Sequence, residues 1–328
     1  MTTLMHRTLA AAILGVGASV IAPAVIAADN FPNQPIRWIV PFPPGGAMDN
    51  IARTLSEPMG KKLGQTIVVE NRAGAGGNIG ASAVARAKPD GHTIMIAANG
   101  MAVNPALYPN MNYDPIKDFE PISLLAVVPN ILVTNTQKDT VKTIQDVIKL
   151  AKEKPGHYTF ASAGVGTSIH LAGELFVKMA EVDMLHIPYK GSGPAITDLL
   201  GGQVDYMWDS ITSAKPHVES GKLRAIAVST ADRSTAMPDL PTVAESGVPG
   251  YALTPWFATF APAKTPAPII EKLHKAMTES LQDPKVQETL KAIGAETIGS
   301  SSEELAKYLA EESVVGQALI RERGITMQ

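Results

Sequence analysis

The stretch IRWIVPFPPGGAMDNIARTLSEPMGKKLG, residues 36–64, joins a strand-like apolar run to a helix-like amphipathic one through a neutral, glycine-rich turn. Outward from it, runs of the same two kinds alternate along the chain, the pattern of βα units on a largely parallel sheet. Strands are expected at 36–40, 67–69, 93–97, 158–161, 184–187, 206–208 and 223–228, and helices at 50–63, 78–87, 143–154, 168–179, 195–200 and 213–220. The C-terminal part reads differently, with helices expected at 268–281, 284–293 and 302–323 around one short strand at 296–298. Two extended apolar runs broken by proline, LLAVVPNILV at 124–133 and YALTPWFATFA at 251–261, read as paired crossings between domains. A first domain of residues 29–128 plus 252–328 then holds a second, 129–251, as an insertion.

Composition bounds the function. The 328 residues exceed one typical domain of ~100–200 residues, and 45% hydrophobic content allows a large core. The 28 Lys and Arg against 31 Asp and Glu give a formal charge of −3 with no basic block, which argues against nucleic acid as a partner. His6 and Arg7, an apolar run over 9–22 and the small residues at 25–28 read as an export signal, residues 1–28. Pro23 and Asp29 keep that run shorter than the ~20 apolar residues of a membrane span. There is no cysteine, hence no acceptor for a lipoprotein anchor, and a soluble periplasmic protein is expected.

In open α/β sheets ligands sit at the carboxyl ends of strands, where helix N-termini present free N–H groups. Four small-residue turns fall at such places: PFPPGGAMD (41–49), AANGMAVNP (97–105), SAGVGTS (162–168) and YKGSGPA (189–195). Gly45, Gly46, Gly164, Gly166, Gly191 and Gly193 lack a Cβ, so backbone amides can approach a ligand and positive φ is accessible. With Lys190 the one cation in these turns, a carboxylate held by neutral donors fits better than a phosphate.

Other chemistries fail on spacing. GAGGNIG (74–80), GVGTSI (164–169) and GSGPAI (191–196) lack the third glycine of a dinucleotide fingerprint, and no Gly-Lys-Ser/Thr closes a P-loop. Phe160 and Lys190 stand where a nucleophile elbow around Ser162 or Ser192 needs glycine. His170 and Glu174 share a helix face but lack the further ligands of a zinc site. Asp49 reads as the N-cap of the first helix, Ser162, Thr167 and Ser168 as caps or ligand contacts, and Asp209 as a cap or an acceptor for the ligand or an ordered water.

The export signal, FPNQPIRWIVPFPPGGAMDNIAR, VENRAGAGGNIGA, KPDGHTI, AVNPALYPNMNYDPIKDFEPIS, IPYKGSGPAITDLLGGQVDYMWD and LPTVAESGVPGY resemble, in order and spacing, the Bug family of periplasmic solute-binding proteins of tripartite tricarboxylate transporters. The resemblance spans essentially all of the mature chain. It implies an α/β, two-lobed, type II periplasmic-binding-protein fold, each lobe a mixed, mostly parallel sheet flanked by helices. It also implies a cleft that closes on a di- or tricarboxylate, amino acid or aromatic acid through backbone amides and ordered waters. The resemblance and the turns together nominate Phe42, Pro44, Gly45, Gly46, Ala47, Met48, Asp49, Asn99, Ser162, Ala163, Gly164, Gly166, Thr167, Ser168, Lys190, Gly191 and Asp209 as ligand-binding residues, Asp209 matching an acidic position that faces the ligand in many members. The implied partners are a small carboxylate and permease subunits, or alternatively a sensor kinase. No enzymatic activity, cofactor or metal is expected. Met48 and Trp208 depart from the residues more usual at their positions, and a larger apolar pocket would follow if they faced it.

Overall fold

A computed structural model describes residues 30–137 and 141–326; the export signal lies outside the described residues. The described chain builds two sheets. The first contains β1 (Ile36–Val40), β2 (Ile67–Asn71), β3 (Thr93–Ala97), β4 (Phe119–Val127), β10 (Trp256–Pro262) and β11 (Glu296–Thr297), in the order β11-β4-β10-β3-β1-β2. The second contains β5 (Asn130–Asn135), β6 (Thr159–Ser162), β7 (Leu185–Pro188), β8 (Tyr206–Ser210) and β9 (Leu223–Val228), in the order β7-β6-β8-β5-β9. The chain passes from one sheet to the other at Val128–Pro129 and comes back after Val228, re-entering at Trp256.

Strands linked by βα units pair in parallel: β1 with β2 and β3, and β6 with β7 and β8. Strands that cross between sheets break this rule. β10 runs antiparallel to both β3 and β4, and β5 antiparallel to both β8 and β9. Both sheets are therefore mixed, yet mostly parallel in sense as expected: β1, β2, β3 and β4 run one way against β10 and β11, and β6, β7, β8 and β9 run one way against β5. A strand arriving from the other lobe has no helix of its own sheet to carry it back to the starting end, so it enters a central slot in the opposite sense.

Ten helices flank the described sheets: α1 (Ala47–Leu63), α2 (Asn78–Ala85), α3 (Gly100–Leu107), α4 (Ile144–Glu153), α5 (Ser168–Met179), α6 (Ser192–Leu200), α7 (Ile211–Glu219), α8 (Ala267–Leu281), α9 (Pro284–Ala292) and α10 (Ser302–Glu322). α3 was not expected from the sequence, where Asn99 and Pro105 suggest a turn. The helix nevertheless forms because Met101, Ala102, Val103 and Leu107 are buried, and the missing Cβ of Gly316 lets α10 approach: one there would lie 2.5 Å from Val103. Each sheet is covered on both faces at its centre. β5, β8 and β10 are buried along their whole length, as expected for strands with packed layers above and below. Trp208 belongs to this interior, stacked on Tyr251 with centroids 5.8 Å apart, so it does not widen the pocket.

Candidate ligand-binding cleft

The turn after β1 is held by one network. α1 starts at Ala47, with Gly46 as an N-cap that has no side chain to offer. Asp49 is thus the third residue of the helix rather than its cap, and its carboxylate reaches back. Oδ2 accepts the Gly45 N–H and Arg53 Nε–H, both at 3.0 Å, while Oδ1 accepts from Asn71 Nδ2 at 2.9 Å. Asn71 Nδ2 also donates to the Phe42 carbonyl at 3.0 Å, tying β2 to the turn. Burial pushes the Asp49 carboxyl up, but hydrogen bonds from Arg53, Asn71 and Gly45, with the Arg53 charge, outweigh it and hold the group below its ordinary range. Gly45 needs its glycine for a φ of 93°. Gly46, at φ −82°, does not; a Cβ there would meet nothing within 4 Å, so the glycine leaves open space before the helix N-terminus.

Two turns of the other lobe face it. Thr167 caps α5, accepting the His170 N–H at 3.2 Å and donating to the Gly164 carbonyl at 2.7 Å. Gly191, at φ 119°, donates its N–H to the Ala163 carbonyl at 3.1 Å, which sets the two turns side by side. A Cβ on Gly191 would lie 3.4 Å from Pro43, and one on Gly166 would lie 2.6 Å from Leu107. The lobes approach each other at these glycines.

Between them lies a cavity of about 450 Å³. Of the nominated residues, Phe42, Pro44, Gly45, Gly46, Ala47, Met48 and Asp49 line it from one lobe, and Ala163, Thr167, Ser168 and Gly191 from the other. The remaining six do not line it. Asn99 is a buried brace whose Oδ1 accepts the Trp256 N–H at 3.2 Å and whose Nδ2 donates to Glu312 at 3.4 Å. Ser162 is fully buried, Gly164 and Gly166 supply the turn's positive-φ backbone at 130° and 81°, and Lys190 is exposed. Asp209 is fully buried behind Ser192, whose Oγ–H donates to its Oδ1 at 2.6 Å. Burial pushes the Asp209 carboxyl up to about 7, the Ser192 and Ser210 hydrogen bonds offsetting only part of the effect.

The nominated set left out Gly193, though its amide was singled out, and sequence reasoning missed Ser192, Thr212, Ser213 and His217, which line the second lobe's side with it, and Met95, Met101, Tyr113 and Phe257 on the first. Ser192 and Gly193 lay within a turn already singled out. Met101 also lay in such a turn, 97–105, whereas the others sit in helices, strands or loops without a glycine signal. Residues from the first turns of α1, α3, α5, α6 and α7 all line the cavity, so five helix N-termini converge on it. No Lys or Arg lines it, and Asp49 is committed to its network. The positive dipole ends of helix N-termini favour an anion over a cation in such a cavity without a cationic side chain.

Two constellations near the cleft invite other chemistry. His170, Glu174 and His186 bring potential metal-ligand atoms within 4.8 Å of one another, a third ligand that sequence spacing did not reveal. The two imidazoles, however, stack with centroids 4.0 Å apart and planes 21° from parallel. Imidazole lone pairs lie in the ring plane, so stacked rings do not aim them at one point. His186 Nε2 is already paired with Ser162 Oγ at 2.7 Å, and His170 Nδ1 accepts the Gly166 N–H at 3.2 Å. This Ser–His pair was also unforeseen. Burial, then the neighbouring His170, lowers the His186 imidazole to about 3, and Ser162 has no exposed surface for a substrate. Both groups brace the 162–167 turn.

Residues 51–325 match the model of the tripartite tricarboxylate transporter family receptor. Protein BugT of Bordetella pertussis is 38% identical over 329 residues, covering 99% of this chain and all of that one. Among solved structures, Rhodopseudomonas palustris Rpa4515 with adipate superposes with a TM-score of 0.87 at 35% identity, covering 90% of this chain and 100% of that one. MatC of the same organism, with bound malate, gives a TM-score of 0.83 at 34% identity, covering 88% and 100%. Among the described residues no helix is long and apolar enough to cross a membrane. With its two-lobed architecture, this chain belongs to the tripartite tricarboxylate transporter receptor family, the Bug proteins, which are periplasmic solute-binding proteins and not enzymes.

Proposed function

We propose that this protein captures a small carboxylate in the cleft between lobes 29–128 plus 252–328 and 129–251, and delivers it to the membrane permease of a tripartite transporter. The observation that carries this reading is the convergence of five helix N-termini on a cavity without lysine or arginine. Adipate in Rpa4515 and malate in MatC support a carboxylate as ligand. Capture relies on closure: the 41–49 turn brings its amides from one lobe, and the turns at 163–168 and 191–193 bring theirs from the other. A closed form that differs from the open one is what a permease reads.

Thermal and calorimetric titration of the purified mature protein tests the reading. A ligand at ~100 times its Kd adds ~2.7 kcal/mol to stability. Gly46→Val is the matched variant: a side chain there enters open space at φ −82°, so the protein folds while the cleft is obstructed. Loss of binding without loss of stability is expected. Wild-type affinity in Gly46→Val, or no response to any carboxylate, would sink the reading.

A further inference from the structure

The cavity is polar at the loop turns and apolar on one wall. Met48 of α1, Ala81 of α2, Met95 and Ala97 of β3, Met101 of α3 and Phe257 of β10 line it, each less than 9% exposed. We propose that the ligand carries one carboxylate on an apolar body, a ring or a short alkyl chain, in preference to a compact hydroxylated acid or a diacid. The proposal rests on the carboxylate reading above and narrows it.

The wall's side chains offer no free donor for a second anionic group: the Tyr113 hydroxyl is given to Asn78 Oδ1 at 2.6 Å, and at the α3 end the Met101 N–H is given to the Ala98 carbonyl at 2.8 Å. Its nearest charged residue, Asp49, has both oxygens engaged by Gly45, Arg53 and Asn71. Asn104, also lining the cavity, gives its Nδ2 to the Gly76 carbonyl and Asn78 Oδ1, leaving an unpartnered Oδ1 acceptor that repels a carboxylate. A second carboxylate pressed against this wall would lose its hydration without recovering hydrogen bonds, which is strongly unfavourable. The unpartnered Ser213 Oγ, in the first turn of α7, lies on the second lobe's side and serves the carboxylate end. Three methionines give the wall flexible, polarisable side chains that adapt to a chain and make favourable contacts with a ring.

Hexanoate and adipate share a six-carbon chain and differ in whether its far end is a methyl or a carboxylate, so they isolate the wall's preference. Calorimetry on the purified mature protein with hexanoate, benzoate, adipate and malate is expected to rank hexanoate or benzoate at least about tenfold tighter than both diacids, the discrimination one apolar group provides. The tighter ligand should also show a negative heat-capacity change. Met101→Gln should weaken that ligand about tenfold, whereas Met101→Leu, which keeps volume and apolarity, should not. Tighter binding of adipate or malate overturns the inference while leaving carboxylate capture intact. Failure of all four acids to bind a folded protein overturns the carboxylate reading itself. The wild-type ranking decides the matter even if Met101→Gln does not fold.

Discussion

Asp209→Asn separates a buried acid's effect on stability from any role in binding. Asp209 has no exposed surface, accepts the Ser192 hydroxyl on Oδ1 with a lesser contribution from the Ser210 backbone, and has no close partner on Oδ2. Burial raises its carboxyl from 3.8 to about 7. The sign follows from proton counting. Between pH ~4 and ~7 the native state holds a proton that the unfolded chain has released, so this group makes stability fall as pH rises through that window. A shift of ~3 pKa units sets a ceiling of ~4 kcal/mol on the penalty present above pH 7, at 1.36 kcal/mol per unit. Asparagine cannot ionise and so lacks this penalty. The variant should match wild type near pH 4 and gain on the order of 2–4 kcal/mol at pH 8, less whatever its second amide proton costs when buried. Urea denaturation of the unliganded protein at half-unit steps from pH 4.5 to 8 measures this, and the difference curve isolates Asp209 from every other titrating group. A difference that stays flat across the window would refute the buried, proton-binding role. Because Ser192 lines the cavity while Asp209 lies behind it, ligand affinity should change only through reorientation of the Ser192 hydroxyl.

Asp49→Ala removes the acceptor for Gly45, Arg53 and Asn71 together; at ~1.5–3 kcal/mol for a hydrogen bond to a charged group, a loss of about 2–3 kcal/mol in chemical denaturation is expected, with weaker ligand binding because the turn loosens. An unchanged denaturation midpoint would show that the turn holds its shape without the carboxylate. Gly191→Ala places an alanine at φ 119° and brings a Cβ to 3.4 Å from Pro43 across the cleft; strain of ~1–3 kcal/mol should lower stability, and small-angle scattering with saturating ligand should show incomplete closure. Wild-type compaction on ligand addition would remove Gly191 from the closing surface.

What could be read from the sequence divides along a physical line. Elements defined by local periodicity were legible: α5 spans Ser168–Met179 and β9 Leu223–Val228, the ranges the apolar pattern marks. The 41–49 turn was legible for a related reason, since its glycines sit between two strongly periodic segments and have little other use. Side-chain direction at strand ends was not legible. β8 is buried at every residue, so the alternation that assigns a face to each position in a half-exposed strand gives no signal, and Asp209 points behind Ser192 instead of into the cavity. Asn99 likewise serves Trp256 and Glu312, partners more than 150 residues away that no local pattern reveals. α3 depends on packing against α10, and the Ser162–His186 pair on the parallel register of β6 and β7. The apolar wall shares this origin, because Met48, Met95, Met101 and Phe257 come from four elements, and of these Met48 alone was nominated from the sequence. Their common exposure to one cavity is a product of topology: placing β10 beside β3 brings Phe257 into the same cavity lining as Met95, next to the turn that presents the amides. On the proposed reading, the part of the cleft that meets the body of a ligand is built by nonlocal packing, and the part that meets its charge by local turns.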